Sequence, residues 1–75
     1  MRRYTYREIA DDLAERIAGG EYPPRSRLPS YTELAALYDV SYQTAARAVR
    51  VLRGRGMAYG EVGRGVFVAD RWHWR

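Results

Sequence analysis

The sequence predicts a small α+β fold, mainly helical, with three helices followed by a C-terminal two-stranded β-hairpin. Three observations predict it. Apolar residues recur at helical spacing in three stretches, each opened by a Ser or Thr. The period changes after Gly56, where short β-type runs flank a glycine-rich segment. Gly and Pro mark the boundaries between these stretches.

The first helix is expected to start at Thr5, with Glu8 three residues on completing a capping box. Its apolar stripe is Ile9, Leu13 and Ile17, reinforced by Ala10 and Ala14. Gly19-Gly20 stops it, and Glu21-Tyr22-Pro23-Pro24 cannot resume a helix. The second helix begins at Ser30 with Glu33 at the capping-box position. It is expected to bury Leu34, Leu37 and Tyr38 and to end at Asp39. The third follows Ser41 and carries Ala45, Ala48, Val49 and Leu52 on one stripe, with Gly54 and Gly56 at its end. Met57-Ala58-Tyr59 and Val66-Phe67-Val68 are then read as strands around the six-residue loop Gly60-Glu61-Val62-Gly63-Arg64-Gly65. The chain is read as one domain over 1–75, with a core of about 5–68 and a tail at 69–75.

Composition narrows the function before any motif does. A chain of 75 residues buries only about 60% of the surface its unfolded form exposes, so its core is thin. No cysteine is present, which removes disulfides, thiolate metal sites and cysteine nucleophiles. The one histidine, His73, lies in the tail. An enzyme, a metal site and a bound cofactor are therefore not expected, nor is an enclosed effector pocket. No apolar run reaches the roughly 20 residues of a membrane span, and the N-terminus does not lead into a signal-peptide core. The reading is a cytoplasmic protein, and a start at Met1 without a tag fits a short protein in its own right.

Charge is more informative. All 13 basic residues are arginine, and the formal net charge is +4. Residues 1–41 hold six arginines against seven acids, whereas residues 42–75 hold seven arginines against two acids, Glu61 and Asp70. A localised positive surface suits an anionic partner. Only Asp39-Val40 separates the second helix from the third, which makes a helix-turn-helix. A basic hairpin directly after it completes the arrangement of a winged helix-turn-helix with a C-terminal β-wing.

With Ala45, Ala48, Val49 and Leu52 inward, Tyr42, Gln43, Ala46, Arg47 and Arg50 point outward. Gln43 has the groups to read adenine and Arg47 those to read guanine, while Tyr42 suits a sugar or phosphate contact. Ser41 and Thr44 offer hydroxyls beside a helix N-terminus, where phosphate is favoured. Residues 41–60 contain four arginines and no acid, unlike an ordinary solvated helix face.

The sequence also resembles the DNA-binding domain of the GntR family of bacterial transcription regulators, over residues 6–68. The resemblance rests on Tyr6, Ile9, Ile17, Gly20, Pro24, Leu28-Pro29-Ser30, Glu33-Leu34-Ala35, Val40-Ser41, Thr44, Ala48, Leu52 and Gly56. It ends on Gly63-Arg64-Gly65-Val66-Phe67-Val68, like the family's glycine-bounded wing. It implies that Ser30, Ser41 and Thr44 contact phosphates or bases and that Gly63 and Arg64 enter the minor groove. Thr32, Tyr42 and Ala46 stand where the family usually has arginine, Arg47 is a partial substitute, and Arg25 replaces the usual glycine after Pro24.

The expected function is sequence-specific binding of double-stranded DNA by a small GntR-like transcription regulator, acting as a repressor. Its recognition helix, about 42–53, would enter the major groove, and its wing, about 60–65, the minor groove. The expected DNA-binding residues are Ser30, Ser41, Tyr42, Gln43, Thr44, Arg47, Arg50, Gly63 and Arg64. Two alternatives use the same fold: an architectural or recombination-accessory DNA binder of weak specificity, and a winged-helix module for protein interaction. A homodimer is a further expectation, because operator binders of this class usually pair across half-sites. For the tail, with Trp72 and Trp74, a frayed end, a dimer contact and a DNA contact all remain open. An Arg2-Arg3 arm beside the duplex is also considered. Tyr6, Tyr22, Tyr31, Tyr38 and Tyr59 are read as core-edge packing with their hydroxyls in water.

Overall fold

The computed structural model describes residues 4–75, so the Arg2-Arg3 arm lies outside the described residues. The order is α1 (Tyr6–Ala18), α2 (Tyr31–Tyr38), α3 (Tyr42–Gly54), β1 (Ala58–Glu61) and β2 (Gly65–Val68), then a 3-10 turn at Arg71–His73. This is the three-helix winged helix-turn-helix fold predicted above.

The helix starts are chemically specified. Thr5 Oγ1 accepts from the Glu8 amide at 3.2 Å, and the Glu8 carboxylate accepts from the Thr5 amide at 2.9 Å. Ser30 and Glu33 repeat this capping box at 3.1 and 2.8 Å. α3 has only half of it. The Thr44 amide donates to Ser41 Oγ at 3.1 Å, but no acid stands in the first turn. Between α2 and α3 the chain turns through Asp39, which is left-handed at φ 54, a conformation aspartate tolerates.

One cluster of buried side chains joins these elements. Ile9, Leu13 and Ile17 of α1 meet Leu34 and Tyr38 of α2 and Ala45, Ala48, Val49 and Leu52 of α3. Leu28, Met57, Ala58 and Val68 close it beneath the wing. Each fully buried Leu or Ile contributes roughly 1.5–3 kcal/mol.

The structure corrects three sequence expectations and removes one of the readings left open for the tail. Leu37 is 58% exposed, because the inward stripe of the two-turn α2 is Tyr31, Leu34, Ala35 and Tyr38, at i, i+3, i+4 and i+7. Tyr38 is buried, and its hydroxyl donates to Asp12 rather than to water. The strands run further than predicted, pairing Ala58 with Val68 through Glu61 with Gly65, so the wing loop is only Val62-Gly63-Arg64. Finally, the tail is not frayed. Trp74 Nε1 donates to the Ala69 carbonyl at 3.2 Å, and the Arg75 amide donates to the Arg55 carbonyl at 2.8 Å.

One pairing was not predicted. Residues 25–28 run along the free edge of β2: the Leu28 amide donates to Val66 O at 2.8 Å and the Val68 amide to Ser26 O at 2.9 Å. β2 is thereby bounded on both sides, which fixes the root of the wing against the segment leading into α2.

Candidate nucleic-acid interface

The 100° step of a helix sorts the outer surface of α3 into three rows. Gln43 and Arg50 lie along the middle, opposite the buried Ala45, Ala48, Val49 and Leu52. Arg47 leans toward α1. Tyr42, Ala46 and Arg53 lie toward the wing. Tyr42, Gln43, Arg47 and Arg50 are all exposed, and Thr44 is half-buried at the edge of the row.

The flanking residues are held by aromatic contacts. The Arg47 guanidinium carbon stands 4.2 Å from the centre of the Tyr6 ring, a cation–π arrangement that joins the recognition helix to the start of α1. Arg7 Nε donates to the Tyr6 hydroxyl at 3.1 Å, so one tyrosine orients two arginines. On the wing side, Tyr42 meets Tyr31 edge to face, with ring centres 5.5 Å apart.

The hydroxyls differ in what they can offer. Phosphate oxygens only accept, so a contacting hydroxyl must have its proton free. Ser30 Oγ accepts from the Glu33 amide at 3.1 Å, and its hydroxyl also bonds the Glu33 carboxylate. Ser41 Oγ accepts from the Thr44 amide and donates to Thr44 Oγ1 at 3.0 Å, so its proton is engaged. Thr44 Oγ1, the acceptor in that pair, keeps its own. Thr44 is therefore the freer phosphate donor of the three. The hydrogen bonds from Ser30 to Glu33, backbone first and then hydroxyl, hold the Glu33 carboxyl below the usual carboxylate range.

The wing places Gly63 at its turn with φ 73, beside Val62, which is fully exposed. The Arg64 amide donates to Glu61 O at 3.0 Å, and its guanidinium stands 3.8 Å from the Glu61 carboxylate. Between the wing and the start of α2 runs an open groove of about 550 Å³, with Ser30, Thr32 and Tyr42 on one bank and Gly63 and Arg64 on the other. Arg27 and Arg53 line it too, and neither was singled out from the sequence. The available signals were the i, i+4, i+11 row Tyr42, Ala46, Arg53 and a glycine inside a strand, Gly60.

Ion pairing divides the arginines. Arg16 pairs with Asp12 and Glu21, Arg25 with Asp70, and Arg55 with Asp11. Among the described residues Arg7, Arg71 and Arg75 form no ion pair, and four more without one, Arg27, Arg47, Arg50 and Arg53, gather in one place. All four lie on the outer surface of α3 or in the groove beside it. A cationic surface around an exposed helix, with a hairpin at its side, is what a DNA duplex demands of a partner.

Fold and surface together define a winged helix-turn-helix DNA-binding domain. The family described as bacterial regulatory proteins, gntR family, matches residues 5–68, and the chain belongs to that family. It is a family of bacterial regulatory proteins. Over 66 residues the chain is 34% identical to the uncharacterized HTH-type transcriptional regulator YdcR of Escherichia coli K12, covering 88% of this chain and 14% of that protein. It is 35% identical to the histidine utilization repressor of Klebsiella aerogenes, covering 87% of this chain and 27% of the relative. Against the transcriptional repressor NagR of Bacillus subtilis the identity is 36%, with 85% and 26% covered. The chain thus spans a small part of the length of these relatives.

Solved structures agree. The domain AraR(DBD) in complex with operator ORR3 superposes with a TM-score of 0.81 at 30% identity, covering 85% of this chain and 77% of that one. BusR of S. agalactiae in complex with its busAB-promotor DNA gives a TM-score of 0.82 at 28% identity, with 96% and 35% covered. Among the described residues, no helix is long and apolar enough to cross a membrane.

Proposed function

We propose that this domain binds double-stranded DNA sequence-specifically as a transcriptional repressor, with α3 in the major groove and the wing at the minor groove. The observation that carries this reading is the exposed row of Gln43 and Arg50 on α3, flanked on both sides by arginines without carboxylate partners. Gln43 reads adenine through N6 and N7, and Arg50 or Arg47 reads guanine through O6 and N7. Ser30, Thr44, Tyr42 and Arg64 position the duplex through its backbone and minor groove, with Ser41 serving mainly as the α3 cap. Gly63 gives the wing tip its turn. The repressor assignment draws on the relatives named repressors, and the DNA assignment on the two neighbours solved with DNA.

The test is selection from a random double-stranded DNA pool at near-physiological salt, followed by binding of variants to the enriched site. Gln43→Ala and Arg50→Ala should each cost roughly 1–3 kcal/mol on the selected site and much less on random DNA. Equal losses on both would remove the specific reading. An enriched inverted repeat would establish a homodimer, and a single short motif a monomer. Retention without enrichment, vanishing as salt rises, would point instead to an architectural binder. That second reading is favoured by Thr32, Tyr42 and Ala46, which stand where the family resemblance noted above leads one to expect arginine.

A further inference from the structure

Two glycines of the wing leave room for two arginine side chains. A Cβ at Gly60 would lie 3.2–3.3 Å from the guanidinium atoms of Arg53, and a Cβ at Gly65 would lie 3.3 Å from Arg27 Cδ. Gly60 does not have a positive φ, so its backbone gives no reason for glycine. What glycine supplies there is space, which a strand glycine typically does where another group approaches closely. The Arg53 fork rests on β1 and the Arg27 stem on the turn into β2. Both side chains line the groove between the wing and the start of α2.

The chemistry of the groove is one-sided. Its acid is Glu61, and that carboxylate faces Arg64 at 3.8 Å. Arg27 and Arg53 form no ion pair within 4 Å among the described residues, and the carboxylate that acts on Arg27 from a distance is Glu33. Beside them stand Ser30 and the exposed Thr32. Planar guanidinium forks match the oxygens of a phosphodiester with two parallel hydrogen bonds.

We propose that Arg27 and Arg53, seated across Gly65 and Gly60, form a phosphate-binding site for one DNA backbone strand between the recognition helix and the wing. The proposal rests on the DNA-binding reading above and adds residues to it. The site holds the duplex against the wing and reads no base. It also supplies charge on the side of α3 where Tyr42 and Ala46 replace arginines.

The experiment compares the full chain with Arg27→Gln, Arg53→Gln and Gly60→Ala, on the selected duplex and on a random-sequence duplex, at several salt concentrations. Each Gln variant should bind several-fold more weakly to both duplexes by the same factor. Each should lower the slope of log affinity against log salt by about 0.9. Gly60→Ala, checked for folding by circular dichroism, should displace the Arg53 fork and reproduce part of the Arg53→Gln loss. Unchanged affinity and salt slope in both Gln variants, with the unaltered chain binding well, would overturn the site. A loss confined to the selected duplex would overturn it too, because it would make these arginines base readers. If the unaltered chain bound neither duplex, the DNA-binding reading itself would fall, a result distinct from both.

Discussion

Arg25 holds a left-handed backbone at φ 70, a conformation that favours glycine. A side chain in that conformation costs roughly 1–2 kcal/mol, and glycine recovers this less about 0.5–1 kcal/mol of extra chain entropy. The opposing term is the Arg25–Asp70 pair at 3.2 Å, whose arginine side chain is 74% exposed, so it contributes little. Arg25→Gly should therefore raise the melting temperature by a few degrees, and Arg25→Ala, which keeps the strain and loses the pair, should not. A lower melting temperature for Arg25→Gly would show that the ion pair outweighs the strain. Tyr6 supports a second expectation. Its ring fixes Arg47 at 4.2 Å, so Tyr6→Leu should weaken discrimination between selected and random DNA. In a double-mutant cycle with Arg47→Ala, the coupling should be about 0.5–1 kcal/mol. Strict additivity would mean that the ring does not orient the arginine for binding.

At the scale of elements, the tail is a structural part of the domain. Gly56 has φ 72, and a Cβ there would lie 2.0 Å from the His73 carbonyl oxygen, so the chain end closes directly over the turn after α3. Arg71 reinforces the closure, donating to Ala18 O at 3.3 Å and lying 4.5 Å from the Trp74 ring centre. Gly56→Ala should cost more than about 2 kcal/mol, read as a fall in urea midpoint, from left-handed strain and clash together. In a chain ending at Asp70 the same substitution should cost only the strain, roughly 1–2 kcal/mol. An equal cost in both chains would show that the tail does not press on Gly56. The contrast between elements also explains what could be read from sequence. Helix starts were legible because Thr5, Ser30 and Ser41 specify them with groups three residues away. The pairing of residues 25–28 with β2, and the docking of Trp74, join groups without a local signature. Leu37 was misplaced because an eight-residue helix offers too few turns to tell its inward stripe from a neighbouring row.

For the molecule as a whole, the arrangement of charge links stability to the binding surface. The outward row of α3 could be read from sequence, since helical periodicity alone assigns Gln43 and Arg50 to it. The role of ion pairing could be read only for Arg16, four residues from Asp12 on one helix, because Arg25 and Arg55 find their acids through the fold, leaving the arginines near α3 unpaired. Asp12 is central to the paired side. It accepts from the Tyr38 hydroxyl of α2 and from Arg16 Nε at 2.9 Å, while Arg16 reaches on to Glu21 at 3.0 Å. The Tyr38 hydroxyl first, and then the Arg16 guanidinium, hold the Asp12 carboxyl below its ordinary value. A carboxyl lowered by folding stabilises the folded state above its unfolded pKa of about 3.9, and that contribution is lost as pH falls through the folded value. Asp12→Asn should therefore cost up to about 1 kcal/mol at pH 7, a figure reduced by the 36% exposure of the side chain. The deficit should shrink as the pH drops below about 4, where the unaltered carboxyl is also protonated. Urea unfolding of both proteins at neutral and acid pH measures this, and a deficit of the same size at both would exclude the carboxylate charge as its source. DNA affinity measured on the folded variant at pH 7 should stay within a factor of about two, because Asp12 bonds to Tyr38 and Arg16 and to none of the expected DNA-binding residues.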